Sequence, residues 1–314
     1  SVAAIIAKQE RNGFKLDRPY ANSLVTTLKT RLDELLERSL ILYPEQTVER
    51  YSEKTGKRLK DATVVFNISS RQQVAKKLQE LGWCPDKHTE KGSIIVDEAV
   101  LDDIIKVSDG KLKELAELVK EYLTLKKRIT QVESWLEAVE DDGRVHGRVT
   151  TNGAVTGRMT HSGPNMAQVP NSSSVFGPEC RECWSVEEGN VLVGADASGL
   201  ELRMLAHYMK DESYVSTVVN GSSKLGTDVH SVNQKAAGLS TRDDAKTFIY
   251  AFLYGAGNAK LGSIVGGTAK AGGKLKEKFL TQTPALRKLI DRVATIASGG
   301  SVPGLDGRRI IVRS

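Results

Sequence analysis

The sequence contains few cysteines, only Cys84, Cys180 and Cys183 in 314 residues. This small, odd number provides no framework of disulfide bonds and is typical of a reducing compartment. Cys180 and Cys183 form a single CxxC pair, but a zinc site needs about four ligands. Since no second pair of Cys or His at ligand spacing lies nearby, we interpret the two as incidental thiols of a loop.

Long apolar segments are also missing. No run approaches the roughly 18 residues that a membrane-spanning helix needs, and no signal peptide is visible. There is no internal repeat with a period of about 20 to 50 residues. A Walker-type glycine loop is also absent, which disfavours a general nucleotide-binding transferase. We therefore expect a soluble, intracellular protein with no membrane partner.

What the sequence does contain is an excess of basic residues. Lys and Arg number 45 against 39 Asp and Glu, which gives a formal charge of +6. Such a charge fits a surface that binds a polyanion, although many basic proteins bind no nucleic acid. The 314 residues are enough for two or three domains that fold without disulfide bonds.

The N-terminal part has mainly helical patterns. Leucines at three- and four-residue steps predict an amphipathic helix within residues 1–40. Residues 43–62 are polar and strongly charged, which predicts an exposed loop or hairpin. A stripe of apolar residues over 110–140 predicts one long packing helix with a charged, solvated opposite face.

Two short elements are expected between these helices. The segment "TVVFNISS", residues 63–70, predicts a short strand because of its β-branched and aromatic residues. A short helix then begins at Ser69 or Ser70, either of which can cap it, and ends near Gly82.

A change of periodicity at Gly143 marks a predicted domain boundary. The period changes there from 3.6 to 2, and Asn152-Gly153 is expected to form the turn of a hairpin. The segment "NVLVGADAS" predicts a buried strand and "GLELRMLAHYM" a helix. From there to about residue 297 the patterns are mostly helical, with glycine-rich breaks.

Asp196 lies at the end of that predicted strand, just before the turn at Ser198-Gly199. A carboxylate at the end of a strand, beside the first turn of a helix, is well placed to hold a hard cation. An aspartate in this position is also common as the N-cap of the following helix. From this segment alone, the metal-ligand and helix-cap interpretations are equally good.

The segment "RDDAKTFIYAFLYGAG", residues 242–257, predicts a helix in which Arg242, Lys246, Tyr250 and Tyr254 lie four residues apart. Residues at this spacing advance about 40° and rise about 6 Å, so the row forms a slanting edge about 18 Å long. The cations near the helix N-terminus can hold phosphates, and the rings can face a base or sugar. The edge fits a nucleoside triphosphate laid lengthwise.

The alternative for this helix is that the tyrosines are core and the charges are surface. It is reasonable for Tyr254, but it does not explain why charged and aromatic residues share one edge. Thr241 and Asp244 predict a capping box at the start of the helix, and Gly255 and Gly257 predict its end.

His230 lies near the start of another helix, where a histidine is more often structural than catalytic. Four polar side chains in the loop after the hairpin suit phosphate or minor-groove contacts, and a polar surface loop is the alternative. They are Arg158, His161, Asn165 and Gln168.

Four segments, in this order, carry a resemblance to a known family: "GAVTGRMTHSGPNMAQVPN", "GADASGLELRMLAHYM", "RDDAKTFIYAFLYGAG" and "GLDGRRIIVRS". They closely resemble the family A (DNA polymerase I-like) replicative DNA polymerases of short-tailed phages. The segments "AKQERNGF", "KKLQELGW" and "KEYLTLKKRI" resemble the thumb of the same enzymes, so the resemblance covers nearly the whole chain. A match of this length to the fingers helix is far more specific than a short motif.

The resemblance implies an α+β, predominantly helical fold of the right-hand polymerase type, with thumb, incomplete palm (antiparallel sheet) and fingers. The thumb-like region would span 1–142 and the first part of the palm, with its metal-binding strand, 143–225. The fingers would span 226–297, and 298–314 would begin the return to the palm.

The implied activity is template-directed DNA synthesis in viral DNA replication, in the cytoplasm of an infected bacterial host. The expected partners are primer-template DNA and dNTPs. A dNTP would be joined to a primer 3′-hydroxyl with release of pyrophosphate. Asp196, assisted by the backbone carbonyl of Ala197, would be one of two aspartates that hold paired Mg²⁺ ions for in-line phosphoryl transfer.

The remaining roles follow from the same resemblance. Glu201 matches the steric-gate position that excludes a ribose 2′-hydroxyl. His230, Arg242 and Lys246 match the triphosphate-binding groups, and Lys246 is also the candidate proton donor to pyrophosphate. Tyr250 matches the ring beneath the incoming sugar.

Three further residues match contacts with the nucleic acid. Tyr254 matches a residue near the templating base. Arg158 and Gln168 match contacts with the primer-template.

The sequence departs from the family pattern at its end, because the His-Asp-Glu turn with the second catalytic aspartate has no equivalent. Asp97-Glu98 imitates such a turn, but its place in the thumb-like region excludes that role. We therefore expect only half of the two-metal site. The chain would be a partial sequence or one half of a split enzyme, with a second chain or a C-terminal segment supplying the rest of the palm. Alone, it would bind DNA or nucleotide poorly and polymerise little or nothing.

Two other departures concern neighbouring functions. No 3′-5′ exonuclease domain precedes Ser1. Some phage relatives carry a long thumb insertion that recruits host thioredoxin, and residues 43–62 are too few for it, so no thioredoxin partner is expected.

The alternative function is a non-catalytic DNA-binding module with a polymerase-like fold. The presence of Asp196, Glu201 and Lys246 together argues against it, because DNA binding alone does not require this trio.

Overall fold

The computed structural model describes residues 1–52, 54–89, 91–154 and 156–312. The chain forms two compact units, Ser1–Val193 and Gly194–Ser314. Both consist mainly of helices with short antiparallel strands, which confirms the predicted helical α+β class. Among the helices of these residues, none is long and apolar enough to cross a membrane. The predicted limits of thumb, palm and fingers stay predictions.

The first unit has its longest helices at residues with strong apolar stripes. The helical segment expected over 1–40 is two helices, separated at Gly13 (φ 61°), where a Cβ would lie 2.8 Å from the His146 ring. The helices are α1 (Val2–Asn12), α2 (Arg18–Leu42), α3 (Arg71–Glu80), α4 (Glu98–Val107), α5 (Gly110–Ala138) and α6 (Gly177–Glu182), with a 3-10 turn at Met166–Gln168.

Side chains cap several of these helices, and the cap of α3 confirms the prediction that Ser69 or Ser70 begins it. The Ser70 side chain caps α3, and Asp97 Oδ1 accepts a hydrogen bond from the Val100 backbone N–H at 2.9 Å at the start of α4. Such caps satisfy backbone donors that have no partner within the helix. Asp97-Glu98 therefore begins a helix and is not a catalytic turn.

Short strands complete the first unit. They are β1 (Phe14–Leu16), β2 (Gln46–Tyr51), β3 (Arg58–Val64), β4 (Arg144–Val145), β5 (Arg148–Thr150), β6 (Thr160–Ser162) and β7 (Trp184–Ser185). Strand β1 lies between β4 and β7 in an antiparallel sheet, β2 pairs with β3, and β5 pairs with β6.

The two hairpins differ in detail from the predictions. Strands β2 and β3 form a solvent-exposed hairpin, which confirms the hairpin alternative for 43–62. The strand expected over 63–70 begins earlier and ends at Val64, because the turn before α3 uses the Asn67 side chain as an acceptor. Residues 151–159 connect β5 to β6, so the turn is wider than the two residues predicted; Val155 lies outside the described residues.

The core of the first unit forms where α2 packs against α5. Leu28, Leu125 and Trp135 are buried there. Ion pairs between the two helices lie at the exposed rim, such as Arg31 to Glu121 at 2.8 Å. Exposed pairs of this kind stabilise little, so apolar burial holds the two helices together.

The three thiols are free, as predicted, but two of them are not loop residues. Cys180 lies in α6 and Cys183 follows it, and both are fully buried in the core. Burial raises the pKa of Cys183 to about 12. Cys84 is exposed. The CxxC pair therefore serves as small apolar packing.

The second unit is a cluster of helices followed by a small hairpin. Its core contains Phe248 and Phe279, whose ring centroids lie 5.2 Å apart in an edge-on arrangement. The elements are α7 (Leu200–Met209), α8 (Glu212–Asn220), α9 (Val229–Ala237), α10 (Arg242–Leu253), α11 (Asn258–Ser263), α12 (Ala269–Gln282), α13 (Pro284–Ala297), β8 (Ser301–Pro303) and β9 (Arg309–Ile311).

The prediction of a buried strand over "NVLVGADAS" is wrong. Residues 191–197 carry no strand, and Val191, Leu192 and Val193 are 81%, 72% and 83% exposed. A buried strand must pair its backbone N–H and C=O groups with a neighbouring strand. Among the described residues, no strand pairs with this segment. The apolar run in the sequence indicates burial, but it does not show which strand would pair with the segment.

Candidate active site

Helices α7, α8, α9 and α10 of the second unit line an open cavity of about 300 Å³. His230 from α9 lines it together with Arg242, Lys246 and Tyr250 from α10. The three α10 residues share one edge because a spacing of four residues nearly completes a helical turn. The structure therefore brings together four of the five predicted nucleotide-binding residues.

Helix α10 begins and ends where the sequence predicted. Thr241 Oγ1 accepts from the Asp244 backbone N–H at 3.0 Å, and the two side chains are also hydrogen bonded. The helix ends at Leu253, after which Gly255 adopts φ 76°. These local caps determine the length over which the edge is helical.

Asp228 connects α9 to α10 at the wall of the cavity. Its Oδ1 accepts from the His230 backbone N–H at 3.0 Å, and its Oδ2 accepts from Ser231 Oγ at 2.8 Å. Arg242 donates through Nη2 to Oδ1 at 3.0 Å and through Nε to Oδ2 at 3.2 Å. Burial would raise the pKa of Asp228, but the hydrogen bonds from Arg242, Ser231 and His230 outweigh it and lower the pKa to about 2.

The pKa of His230 is lowered beside two cations. Burial lowers its pKa, and the charges of Arg242 and Lys246 lower it further, while Asp228 opposes the shift. Its ring centroid lies 6.1 Å from that of Tyr250. Nδ1 is buried and has no hydrogen-bond partner among the described residues.

Lys246 is an exposed cation at the cavity. In the described parts of the chain, its ammonium group makes no ion pair, unlike the Arg242 guanidinium. The side of the cavity formed by α10 therefore presents positive charge that is not fully compensated, which favours an anion.

Glu201 and Tyr254 contact each other directly. The Tyr254 hydroxyl donates to Glu201 Oε1 at 2.9 Å. Tyr254 is 61% exposed, so the alternative that it belongs to the core is wrong. Burial raises the pKa of Tyr250, and Glu201 and Tyr254 raise it further. Glu201 lies on α7, and its carboxylate is positioned by the hydroxyl of Tyr254, which follows the end of α10.

Asp196 and Ala197 lie in the exposed segment that precedes α7. The N-cap of α7 is Gly199, with no side-chain cap, so the helix-cap interpretation of Asp196 is wrong. No group of three or more His, Cys, Asp or Glu in the described residues could hold a metal ion. One carboxylate and one carbonyl are oxygen donors of the kind that Mg²⁺ prefers, but they fill only part of its octahedron.

Of the three predicted nucleic-acid contacts, Arg158 and Gln168 lie in the first unit and Tyr254 in the second. Gln168 lines a cavity of about 790 Å³, and its backbone carbonyl accepts from Gln131 Nε2 at 2.7 Å. Arg158 is exposed and does not line this cavity. Asn165 lines it and caps the 3-10 turn, and His161 lies in β6 opposite Val149.

Two features of these sites were not predicted from the sequence. The cavity in the first unit is also lined by Lys126, Lys127 and Arg128 of α5, and this run of basic residues was a usable signal. The pair of Asp228 with Arg242 joins residues of two different helices, so no local pattern reveals it.

The fold is that of a DNA polymerase domain. The chain matches the structure of the POL domain of Pol1 from M. smegmatis, in complex with DNA primer-template and dNTP, with a TM-score of 0.77. The identity is 21%, and the match covers 97% of this chain and 50% of that chain.

Sequence comparison identifies the family. The profile of DNA polymerase family A matches residues 40–314. The chain is 38% identical to the DNA-directed DNA polymerase of Escherichia phage T7 and 37% identical to that of Enterobacteria phage T3, over 99% of this chain and 55% of each relative. The thermostable DNA polymerase I of Thermus aquaticus is 26% identical over 98% of this chain and 35% of that protein.

The chain belongs to DNA polymerase family A, which confirms the resemblance found in its motifs. It spans about half the length of the phage relatives that it matches.

Proposed function

We propose that this chain is part of a DNA-directed DNA polymerase that joins dNTPs to the 3′-hydroxyl of a primer in viral DNA replication. The observation that carries the proposal is the cavity between α9 and α10, lined by His230, Arg242, Lys246 and Tyr250. The names of the phage relatives support the reaction, and they support a site of action in the cytoplasm of the infected host.

The cavity suits the triphosphate of a dNTP. Arg242 lies in the first turn of α10 and His230 in the first turn of α9, where the helix dipoles favour an anion. Lys246 adds a charge one turn further along, and we assign to it the transfer of a proton to the leaving pyrophosphate. Tyr250 lies one further turn along α10, and we assign to it the contact with the sugar of the dNTP.

Sugar selection is assigned to Glu201. Its hydrogen bond from Tyr254 holds the carboxylate in a fixed position on α7. A carboxylate fixed beside the sugar excludes a 2′-hydroxyl by its volume. We assign to Tyr254, which is 61% exposed beyond the end of α10, a contact with the templating base.

Asp196 and the carbonyl of Ala197 would hold Mg²⁺. When bound, the metal stabilises the charge that develops on the phosphoryl oxygens. These two groups are half of a two-metal site, and we expect substrate phosphates and a second carboxylate from another segment or chain to complete it. Asp196 is exposed, so its carboxylate can be reached by a metal ion from solvent.

The first unit is proposed to bind the primer-template duplex. Arg158, Gln168 and the α5 residues Lys126 and Lys127 offer contacts to phosphates and to the minor groove.

The match to the T7 phage enzyme runs over 392 residues, more than the 314 of this chain, so that enzyme carries residues that are absent here. We expect no thioredoxin partner, because residues 43–62 are too few for an insertion that would recruit it.

Primer extension by the product of the complete gene that encodes this chain tests the proposal. We expect extension that requires Mg²⁺ and that Asp196→Asn abolishes, because the amide is a poor ligand for a hard cation. Asp211→Asn, in the same unit but outside the cavity, is the matched control and should extend normally. If the protein binds primer-template but never extends it, it is a non-catalytic DNA-binding module.

A further inference from the structure

The carboxylate of Asp228 makes more contacts than a helix cap requires. A cap needs one or two backbone N–H donors, and Asp228 accepts from two, those of His230 and Ser231. It additionally binds the guanidinium of Arg242 through two nitrogens. Its side chain is only 13% exposed. The additional ion pair therefore needs an explanation beyond the start of α9.

The pair leaves part of the guanidinium available. Nε and Nη2 of Arg242 bond to Asp228, while Nη1 makes no hydrogen bond within the described residues. The Arg242 side chain is 40% exposed and lines the cavity. Because the guanidinium is a planar fork, fixing one edge of it determines where the remaining donors lie.

The same carboxylate also determines the position of His230. Its bond to the His230 backbone N–H holds the first turn of α9. One group therefore sets the spacing between Arg242 and His230, which come from different helices. Both of these residues line the cavity.

We propose that Asp228 is a positioning residue for the triphosphate: it orients Arg242 and His230 so that both meet the same phosphates. This inference rests on the proposed nucleotide site. The opposing effect is repulsion between the carboxylate and the anion. Because Asp228 already receives hydrogen bonds from Arg242, Ser231 and the backbone, its charge is largely compensated, and the orientation of Arg242 is the larger effect.

The test compares two substitutions of Asp228. Asp228→Asn keeps an oxygen that can cap α9 but cannot form a charged pair with Arg242, while Asp228→Ala removes both functions. The control Asp211→Asn changes another capping aspartate, which accepts from the Tyr214 backbone N–H at 3.0 Å. In the described residues, Asp211 has no ion-pair partner.

Affinity is measured by displacement of a fluorescent dATP analogue with dATP and with inorganic tripolyphosphate. For Asp228→Asn we expect Kd to rise about tenfold for both ligands, the loss of one charge-assisted contact. An equal effect on tripolyphosphate, which has no sugar or base, locates the loss at the phosphates. Asp211→Asn should bind both ligands as the wild type does.

A second pair of variants distinguishes loss of the contact between Asp228 and Arg242 from misfolding as the cause of a higher Kd. Arg242→Lys keeps the charge but not the two-nitrogen fork. If Asp228 acts through Arg242, adding Asp228→Asn to Arg242→Lys should change Kd by less than about twofold. Additive effects, or dATP binding by Asp228→Asn as tight as or tighter than the wild type, overturn the proposal.

The binding and extension assays separate the inference from the proposed function. If the wild type binds dATP and Asp228→Asn weakens binding, the inference stands even when no primer is extended. If primers are extended but Asp228→Asn binds dATP normally, the polymerase function stands and the inference is wrong. A wild type that binds neither dATP nor tripolyphosphate overturns the inference.

Discussion

At the scale of single residues, the candidate site joins a row of side chains on α10 to a carboxylate that precedes α9. The row of Arg242, Lys246 and Tyr250 follows from helical spacing, and the structure places all three at one cavity. The partner of Arg242 is Asp228, 14 positions earlier. Their contact depends on how α9 packs against α10, so it is known only after folding.

The hydrogen bond between Tyr254 and Glu201 is predicted to support discrimination against ribonucleotides. Tyr254→Phe removes the hydroxyl that holds Glu201 Oε1 at 2.9 Å. Without this hydrogen bond the carboxylate is held less firmly, so its position relative to a 2′-hydroxyl is less well defined. We expect the ratio of kcat/KM for dNTP over rNTP to fall by roughly tenfold, measured in single-nucleotide extension by the complete protein.

Tyr208→Phe is the matched control for this prediction. It removes a hydroxyl from α7 for which the described residues offer no hydrogen-bond partner. Equal losses of discrimination in the two variants would show that the contact with Glu201 is not the cause.

At the scale of helices and strands, predictions succeeded where the signal is local. The starts of α3 and α10 follow from Ser70 and Thr241, each of which acts within three residues of itself. The predicted strand at 191–197 failed because a strand is stabilised by a partner from elsewhere in the chain. The helix-cap interpretation of Asp196 failed because α7 begins later, after Gly199.

The cap of α10 gives a prediction for stability. Thr241→Ala removes the oxygen that accepts from the Asp244 backbone N–H. We expect the free energy of unfolding of the second unit to fall by about 1 kcal/mol, the usual value of a lost N-cap. Urea denaturation followed by circular dichroism measures this change.

Thr241→Ser is the control for the cap, because serine keeps the accepting oxygen. It should leave the free energy of unfolding within about 0.5 kcal/mol of the wild type. If serine destabilises as much as alanine, the threonine methyl group and not the cap is what stabilises α10.

At the scale of the whole molecule, the chain divides into two compact units at residues 193 and 194. The sequence placed its boundary at Gly143, where periodicity changes from helical to extended. Compactness instead depends on which residues share a core, and Cys180, Cys183 and Trp184 pack with the helices of the first unit. Periodicity identifies elements, but it does not report which core they join.

The segment between the units is predicted to be the first site of proteolysis. Val191, Leu192 and Val193 are all more than 70% exposed and are outside helices and strands. Brief digestion with elastase, which cleaves after small apolar residues, should give two fragments that separate near residue 193. Mass spectrometry identifies the cut.

A first cut elsewhere, above all in the exposed hairpin of β2 and β3, would contradict this prediction. It would indicate that residues 191–193 are protected in solution by a contact that the chain does not make within its described residues.

The distribution of thiols has a practical consequence for spectroscopy. Cys180 and Cys183 are sealed in the core and resist deprotonation, while Cys84 is in solvent. Since only a thiolate reacts quickly, a maleimide dye attaches to the native chain at one known position beyond the end of α3, without any engineered cysteine. The first unit thus carries a built-in labelling point from which the approach of a dye-labelled DNA can be followed by energy transfer.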